Sequence, residues 1–310
     1  MTTNFSIIGA TVNPINKAIV SFVKLLPKPV VYLFAKKYIA GEKLDDAVRV
    51  VKELNEKGIV ATMDVLGEAV TSKAECEQAK IECLQVLDVI DKHKLNSNLS
   101  LKPTQLGLVI DPEFCYQQIS EILERAKSYN NFVRIDMEDS PTTDATIAMY
   151  IRLREKYNNV GIVVQSYLKR TLNDVQKIEL AGTNYRLCKG IYIEPEEIAY
   201  KTKQKVRDSF LDVLNYLLDN GNYVGIATHD DYLINNAYEL IKKKQIPKDK
   251  FEFQMLYGVK ERLRDKINAD GYKIRIYVPF GDHWYKYSIR RLQENPNMAW
   301  HITKSILTFN

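Results

Sequence analysis

The chain has 310 residues, too many for a minimal domain and about right for one large α/β barrel or two ordinary domains. Its composition, 45% hydrophobic with 13 Gly and 10 Pro, is that of a globular rather than a disordered protein. The formal net charge of +5 is small and dispersed, and no Lys/Arg block is interleaved with aromatics, which argues against nucleic acid and leaves weak attraction to an anionic membrane surface open.

The four cysteines, Cys76, Cys83, Cys115 and Cys188, form no CxxC, and the four histidines are scattered. Neither a zinc site nor a disulfide framework is implied. No apolar run reaches membrane-spanning length, and the start, MTTNFSI, has neither a basic n-region nor the arginines of a transit peptide. The expected compartment is the cytoplasm. Nineteen tyrosines against ten phenylalanines suit a polar-rimmed pocket or reflect composition alone.

In chain order, residues 1–43 form an N-terminal arm. Its two short apolar segments, around Ile19–Val23 and Val30–Phe34, are separated by Pro27 and Pro29, and both read as helices. The arm suits capping of the main domain, an oligomer contact or a membrane contact. From Leu44 a repeating unit begins. A helix over 44–57 ends at Gly58, and Ile59–Val65 reads as the first strand. A long helix follows over 71–92, then a strand over Leu99–Leu106 and a helix opened by Pro112. The next strands are Phe132–Met137, Gly161–Tyr167 and Tyr185–Tyr192, with helices from about 142 and 171 and a long one opened by Pro195. Strands at Tyr223–Thr228, Phe251–Leu256 and Tyr272–Val278 complete the series, with helices from about 231 and 259 and an eighth after Gly281.

Eight strand-then-helix units predict an α/β fold, a (β/α)8 TIM-type barrel over 44–310 with the helical arm before it. An open doubly wound sheet usually carries a Gly-rich phosphate turn after its first strand. Here that strand leads into Asp64-Val65-Leu66-Gly67-Glu68, which favours the barrel.

In such a barrel the active site lies at the C-terminal strand ends. Those ends are polar throughout: Asp64; Lys102; Arg134, Asp136 and Glu138; Gln165; Arg186 and Lys189; Thr228 and His229; Gln254 and Tyr257; Tyr277. Charges inside strands are costly to bury unless paired, so the pattern marks either a functional pocket or a ring of structural ion pairs. Asp136 and Glu138, two apart, would share a face and could be an acid/base pair or metal ligands. Cys188 reads as a packing cysteine. No Ser-His-Asp or Cys-His arrangement stands out. The helix after the last strand carries Arg290 and Arg291, with Tyr287 three residues before the first and Glu294 three after the second. Two guanidiniums can clamp a small carboxylate. The cations suit a ligand bearing phosphate or carboxylate, or an electron-rich reduced ring. Gln165, Thr228, His229 and Gln254 suit a large planar cofactor.

The segments LSLKPTQLG (99–107), VRIDMEDS (133–140), VGIVVQSYLKRT (160–171), RLCKGIY (186–192), GIATHD (225–230), FEFQMLYGV (251–259) and the YxxRR at 287–291 carry a resemblance. In this order, one per strand end over roughly 44–303, they resemble the proline dehydrogenase family, FAD-dependent enzymes that oxidise L-proline to Δ1-pyrroline-5-carboxylate. Cys188 and Ile191 depart from the Val and Ala expected there, away from the chemistry.

The resemblance implies a distorted barrel with FAD over the strand ends and proline stacked on it under the last helix. It implies that Arg290 and Arg291 bind the proline carboxylate, assisted by Lys102, with Glu294 holding the arginines and Tyr277, Tyr287 and Leu256 walling the ring. Asp136 and Arg186 would be the catalytic pair, Asp136 matched to nearby cations and Arg186 near flavin N5. Met137, Gln165, Lys189, Gly190, Ile191, Thr228 and His229 would contact the FAD, as would Arg186, with Tyr192 behind them. No metal is implied. The acceptor of the amine proton stays open between solvent and Asp136. A quinone is the implied electron acceptor, which would place the protein at the inner face of the cytoplasmic membrane. With no aldehyde-oxidising domain expected before Asn310, the product would pass to a separate pyrroline-5-carboxylate dehydrogenase. The alternatives are another flavin-dependent barrel, such as a methylenetetrahydrofolate reductase-like enzyme, which needs no double arginine clamp, and a non-catalytic member, against which the undamaged motifs argue.

Overall fold

The computed structural model describes residues 28–67, 70–178, 180, 182–285 and 287–289. Eight parallel strands close a barrel in chain order: β1 (Val60–Val65), β2 (Ser97–Leu101), β3 (Val133–Ile135), β4 (Val160–Gln165), β5 (Asn184–Cys188), β6 (Tyr223–Ala227), β7 (Phe251–Leu256) and β8 (Ile274–Phe280), which returns to pair with β1. Helices α1 (Lys28–Ala35) and α2 (Leu44–Glu56) precede β1. The connections carry α3 (Lys73–Lys92), α4 (Pro112–Ser128), α5 (Thr143–Arg154), α6 (Thr171–Ile178), α7 (Lys203–Asp219), α8 (Asp231–Lys244) and α9 (Glu261–Ala269). The predicted (β/α)8 barrel is therefore the observed fold.

Strand alternation sets the two layers. Ala61 and Met63, Leu99 and Leu101, Val133 and Ile135, Ile274 and Ile276 are buried in the apolar core that the helices cover. Phe253 shows the outward direction, packing edge-on against Tyr238 of α8 at 5.1 Å. The alternate residues point into the lumen, where Arg186 of β5 reaches Ser100 of β2 and Tyr277 of β8 reaches Asp136 just past β3. Branched apolar side chains usually fill such a lumen. Here it is polar, and the desolvation cost must be offset by pairing.

Several element boundaries differ from the sequence expectation, each for a local reason. The second strand stops at Leu101, because Pro103 has no N–H to give and opens a 3-10 turn over Pro103–Leu106 that Gly107 closes at φ 102°. The third covers only Val133–Ile135, and the fifth ends at Cys188. Pro195 does not open a helix: α7 begins at Lys203, capped by the Thr202 hydroxyl. Residues 189–202 instead form a long loop. Tyr200 N–H donates to Tyr167 O at 2.7 Å and Lys169 N–H to Ile198 O at 2.9 Å, an antiparallel tie that outcompetes a helix. The buried Glu194 carboxylate accepts from Ser140 N at 2.7 Å and Ser140 Oγ at 2.6 Å, pinning the loop towards the β3 end.

Of the arm, residues before Lys28 lie outside the described residues. The remainder packs on the β8 end: Ala40 N–H donates to Pro279 O, Tyr32 meets Trp284 edge-on at 5.0 Å, and Trp284 Nε1 donates to Glu42 Oε1 at 2.6 Å. No described helix is long and apolar enough to cross a membrane.

Candidate active site

The lower lumen is built around Glu252 of β7. Arg275 of β8 meets it with two guanidinium nitrogens, at 2.5 and 3.1 Å, and also donates to Ala61 O and Asn98 Oδ1. Burial alone would push the Glu252 carboxyl up, but the charges of Arg275 and Lys273 outweigh it and hold the group well below the usual carboxylate range. Gln254 lies one inward position higher. Its Nε2 donates to Glu252 Oε1 at 2.7 Å and its Oε1 accepts from Arg186 Nε at 2.6 Å, linking the lower lumen to the mouth.

At the mouth, Asp136 collects donors. Its Oδ1 accepts from Ser100 Oγ at 2.6 Å and Arg186 Nη1 at 2.9 Å; its Oδ2 accepts from Tyr277 OH at 3.0 Å and lies 3.5 Å from Lys102 Nζ. Burial would raise this carboxyl, yet Lys102 and Arg186 together lower it. Lys102 continues the inward series of Asn98 and Ser100 and bridges to Asp64 Oδ1 at 2.6 Å. Burial alone would lower its ammonium, but two facing carboxylates raise it instead. Asp64 is 2% exposed, and its burial, reinforced by the charge of Asp136, raises it despite Lys102. Arg186 also lies over the Tyr277 ring, 5.2 Å from its centroid.

A second group forms the opposite rim, on β4, β5 and β6. Gln165 Nε2 donates to Met137 O at 2.9 Å, while the buried Gln165 Oε1 has no hydrogen-bond partner among the described residues. Gly190 sits at φ 100°, and a Cβ there would land on the Tyr167 ring, so only glycine fits this turn. Lys189 lies 3.8 Å from Asp230 Oδ2, and burial lowers its ammonium. Thr228 is buried and accepts from Asp230 N–H, and Asp230 caps α8. His229 Nε2 accepts from Leu256 N at 2.8 Å, which puts the proton of the neutral ring on Nδ1 and ties the β6 end to the β7 end.

These two groups enclose one cavity of about 270 Å³. Lys102, Asp136, Met137, Gln165, Arg186, Lys189, Gly190, Ile191, Thr228, His229, Leu256, Tyr277 and Tyr287 all line it, so every predicted site residue within the described residues reaches the same space. Arg290, Arg291 and Glu294 lie outside the described residues.

Three other strand-end residues, Arg134, Glu138 and Tyr257, do not line it. Arg134 lies away from the cavity, donating to the carbonyls of Ile162 and Asn184 and to the Asn184 side chain. Burial, with repulsion from Arg186, brings its guanidinium down to about 9. Glu138 does not share a face with Asp136 as an acid/base or metal pair. The strand has ended at Ile135, and Glu138 turns to accept from Thr104 N at 3.0 Å and Thr104 Oγ1 at 2.7 Å. Tyr257 packs on the core. Asp64, a strand-end residue given no role from sequence, lines the cavity and holds Lys102, and Gln254, which from sequence suits a planar cofactor, lines it too and accepts from Arg186.

A closed (β/α)8 barrel with a charged, aromatic-walled pocket at its strand ends defines an α/β-barrel enzyme. Residues 47–303 match the family model described as proline dehydrogenase, and the chain belongs to that family, whose members oxidise proline in its catabolism. Among its relatives, proline dehydrogenase 1 of Bacillus subtilis (strain 168) is 38% identical over 275 residues, covering 89% of this chain and 91% of its own length. The proline dehydrogenase of Deinococcus radiodurans is 32% identical over 290 residues, covering 92% and 94%. A solved structure of proline utilization A from Bdellovibrio bacteriovorus, inactivated by N-propargylglycine, superposes with a TM-score of 0.78 at 27% identity. It covers 87% of this chain, which spans only 34% of that longer protein.

Proposed function

We propose that the pocket oxidises L-proline to Δ1-pyrroline-5-carboxylate with FAD as cofactor. The observation that carries this reading is the arrangement of the cavity: cations and tyrosines on one side, a polar rim with an open acceptor on the other. The rim fits a flavin. Gln165 Oε1 is a buried acceptor awaiting a donor such as a ring N–H, and the Gly190 turn brings backbone close without a side chain between. Met137, Gln165, Lys189, Gly190, Ile191, Thr228 and His229 would hold the cofactor, which supplies the acceptor for the hydride leaving proline C5.

The chain's own residues orient the substrate. Arg290 and Arg291, held by Glu294, would clamp the proline carboxylate, with Lys102 adding charge. Tyr277, Tyr287 and Leu256 would wall the ring and exclude water, fixing C5 toward the cofactor. Arg186 would stabilise negative charge as it develops on the cofactor, and Asp136 would keep Arg186, Lys102 and Tyr277 in place. Electrons would pass to a quinone at the inner face of the cytoplasmic membrane, in transient contact with its surface. The product would pass to a separate pyrroline-5-carboxylate dehydrogenase.

The test is spectroscopic. The purified protein is expected to be yellow and to bleach when L-proline is added without oxygen. A colourless protein whose heat stability FAD does not raise would overturn the reading.

A further inference from the structure

We propose that Gln254 is a positioning residue for Arg186, turning one edge of its guanidinium toward the bound cofactor. The inference rests on the flavin reading above and adds to it the group that sets Arg186 in place.

The register of the strands creates the arrangement. Arg186 of β5, Gly225 of β6 and Glu252 of β7 stand in one row across the barrel wall. The middle position has no side chain, and the Gln254 amide lies in the space that a Cβ there would take. Its Nε2 donates to Glu252 Oε1 at 2.7 Å on one side, and its Oε1 accepts from Arg186 Nε at 2.6 Å on the other. An amide can lie either way round, but these neighbours allow only one. The Glu252 carboxylate, kept ionised by Arg275 and Lys273, can only accept, and a guanidinium can only donate. Reversal would set acceptor against acceptor and donor against donor among side chains that are at most 6% exposed, where unmade hydrogen bonds are costly.

The fixed amide in turn fixes Arg186. The planar fork is anchored at Nε by Gln254 and at Nη1 by Asp136 Oδ1 at 2.9 Å and Ser100 Oγ at 3.2 Å. Anchors on two different nitrogens set the plane of a rigid guanidinium. Its Nη2 has no hydrogen-bond partner among the described residues and is left for the cavity that Arg186 lines. Without the Gln254 oxygen only the Nη1 contacts remain, and the fork can turn about them. A cation held beside a flavin favours its negatively charged reduced form. Loss of the hold should therefore lower the flavin potential.

The experiment equilibrates purified holoenzyme anaerobically with a redox dye of known potential, which reads the ratio of reduced to oxidised flavin without proline. Gln254→Met keeps length and neutrality but offers only a weak acceptor. It should lower that ratio about tenfold at a given dye poise, about 30 mV for a two-electron couple. Gly225→Ala should act the same way although Gly225 does not line the cavity, because its Cβ displaces the Gln254 amide. In an Arg186→Met background neither substitution should change the ratio by more than about twofold. A ratio that Gln254→Met leaves unchanged, or lowers equally with and without Arg186, would overturn the proposal. Should Gln254→Met not fold, Gly225→Ala in the two backgrounds decides the question on the same terms. A wild type whose flavin follows the dye but is never bleached by proline would refute the proposed function while the comparison of potentials still decides this inference. A wild type that holds no flavin would refute both.

Discussion

Gly225 tests whether the polar lumen is held as one connected unit. It sits at an inward position of β6, and a Cβ there would land on the Gln254 amide nitrogen. The far end of a flexible side chain can usually swing aside at little cost. Gln254 cannot, because it is 5% exposed and bonded to two ionised groups, Arg186 at 2.6 Å and Glu252 at 2.7 Å. Gly225→Ala should therefore break both bonds. Each hydrogen bond to a charged group contributes about 1.5–3 kcal/mol, and alanine returns about 0.5–1 kcal/mol by restricting the unfolded chain. The expected loss is about 2–5 kcal/mol, read from the urea midpoint at unchanged slope. A double-mutant cycle makes the reasoning refutable. With Gln254→Ala already present the clash is gone, and Gly225→Ala should then stabilise by about 0.5–1 kcal/mol. An equal cost in both backgrounds would show that the glycine is needed for some reason other than Gln254.

Three further outcomes follow from the same structure. Glu252 has a carboxyl held below its unfolded value, so its contribution is fully present above the unfolded pKa and is lost as pH falls through the folded one. Glu252→Gln should cost about 3–5 kcal/mol at neutral pH by stranding Arg275, and its stability should fall less on acidification than that of the wild type; parallel curves would contradict this. Gly190→Ala should add about 1–3 kcal/mol of backbone strain and, because Tyr167 must move, should yield protein with less bound flavin after gel filtration. Arg290→Met or Arg291→Met should raise KM for proline, a loss of about 2–4 kcal/mol of binding, while flavin stays bound; loss of flavin in both would assign the arginines to the cofactor.

The barrel was legible because the strands set an apolar outer face against inner positions that are mostly polar or small, and because Gly and Pro punctuate the units. Which strand-end side chains meet was only partly legible. Arg134 and Arg186 look alike in sequence, both inward on short strands. The stagger between strands decides that Arg186 rises to Asp136 while Arg134 spans to Asn184 below. Glu138 departs from the strand alternation because the strand stops at Ile135. The loop over 189–202 was hidden because a proline followed by acidic residues is a common helix start, and nothing local reports that Glu194 is claimed by Ser140. Asp64 stood among the strand ends, but no spacing reveals that its partner is Lys102, 38 residues on.

The charges of the lumen also explain why its mouth suits an anion. Among the described residues, Lys102, Arg134, Arg186 and Arg275 face inward against three carboxylates, Asp64, Asp136 and Glu252. Glu252 is taken up by Arg275 and Lys273 below. At the level of the cavity Lys102 and Arg186 face Asp64 and Asp136, two cations against two carboxylates, so the excess comes from Arg134. Arg134 has no carboxylate partner among the described residues, and its field adds to that of Arg186 above it. In a low-dielectric lumen such an excess is felt over many ångströms and lowers the cost of bringing in a carboxylate or of placing negative charge on a bound ring.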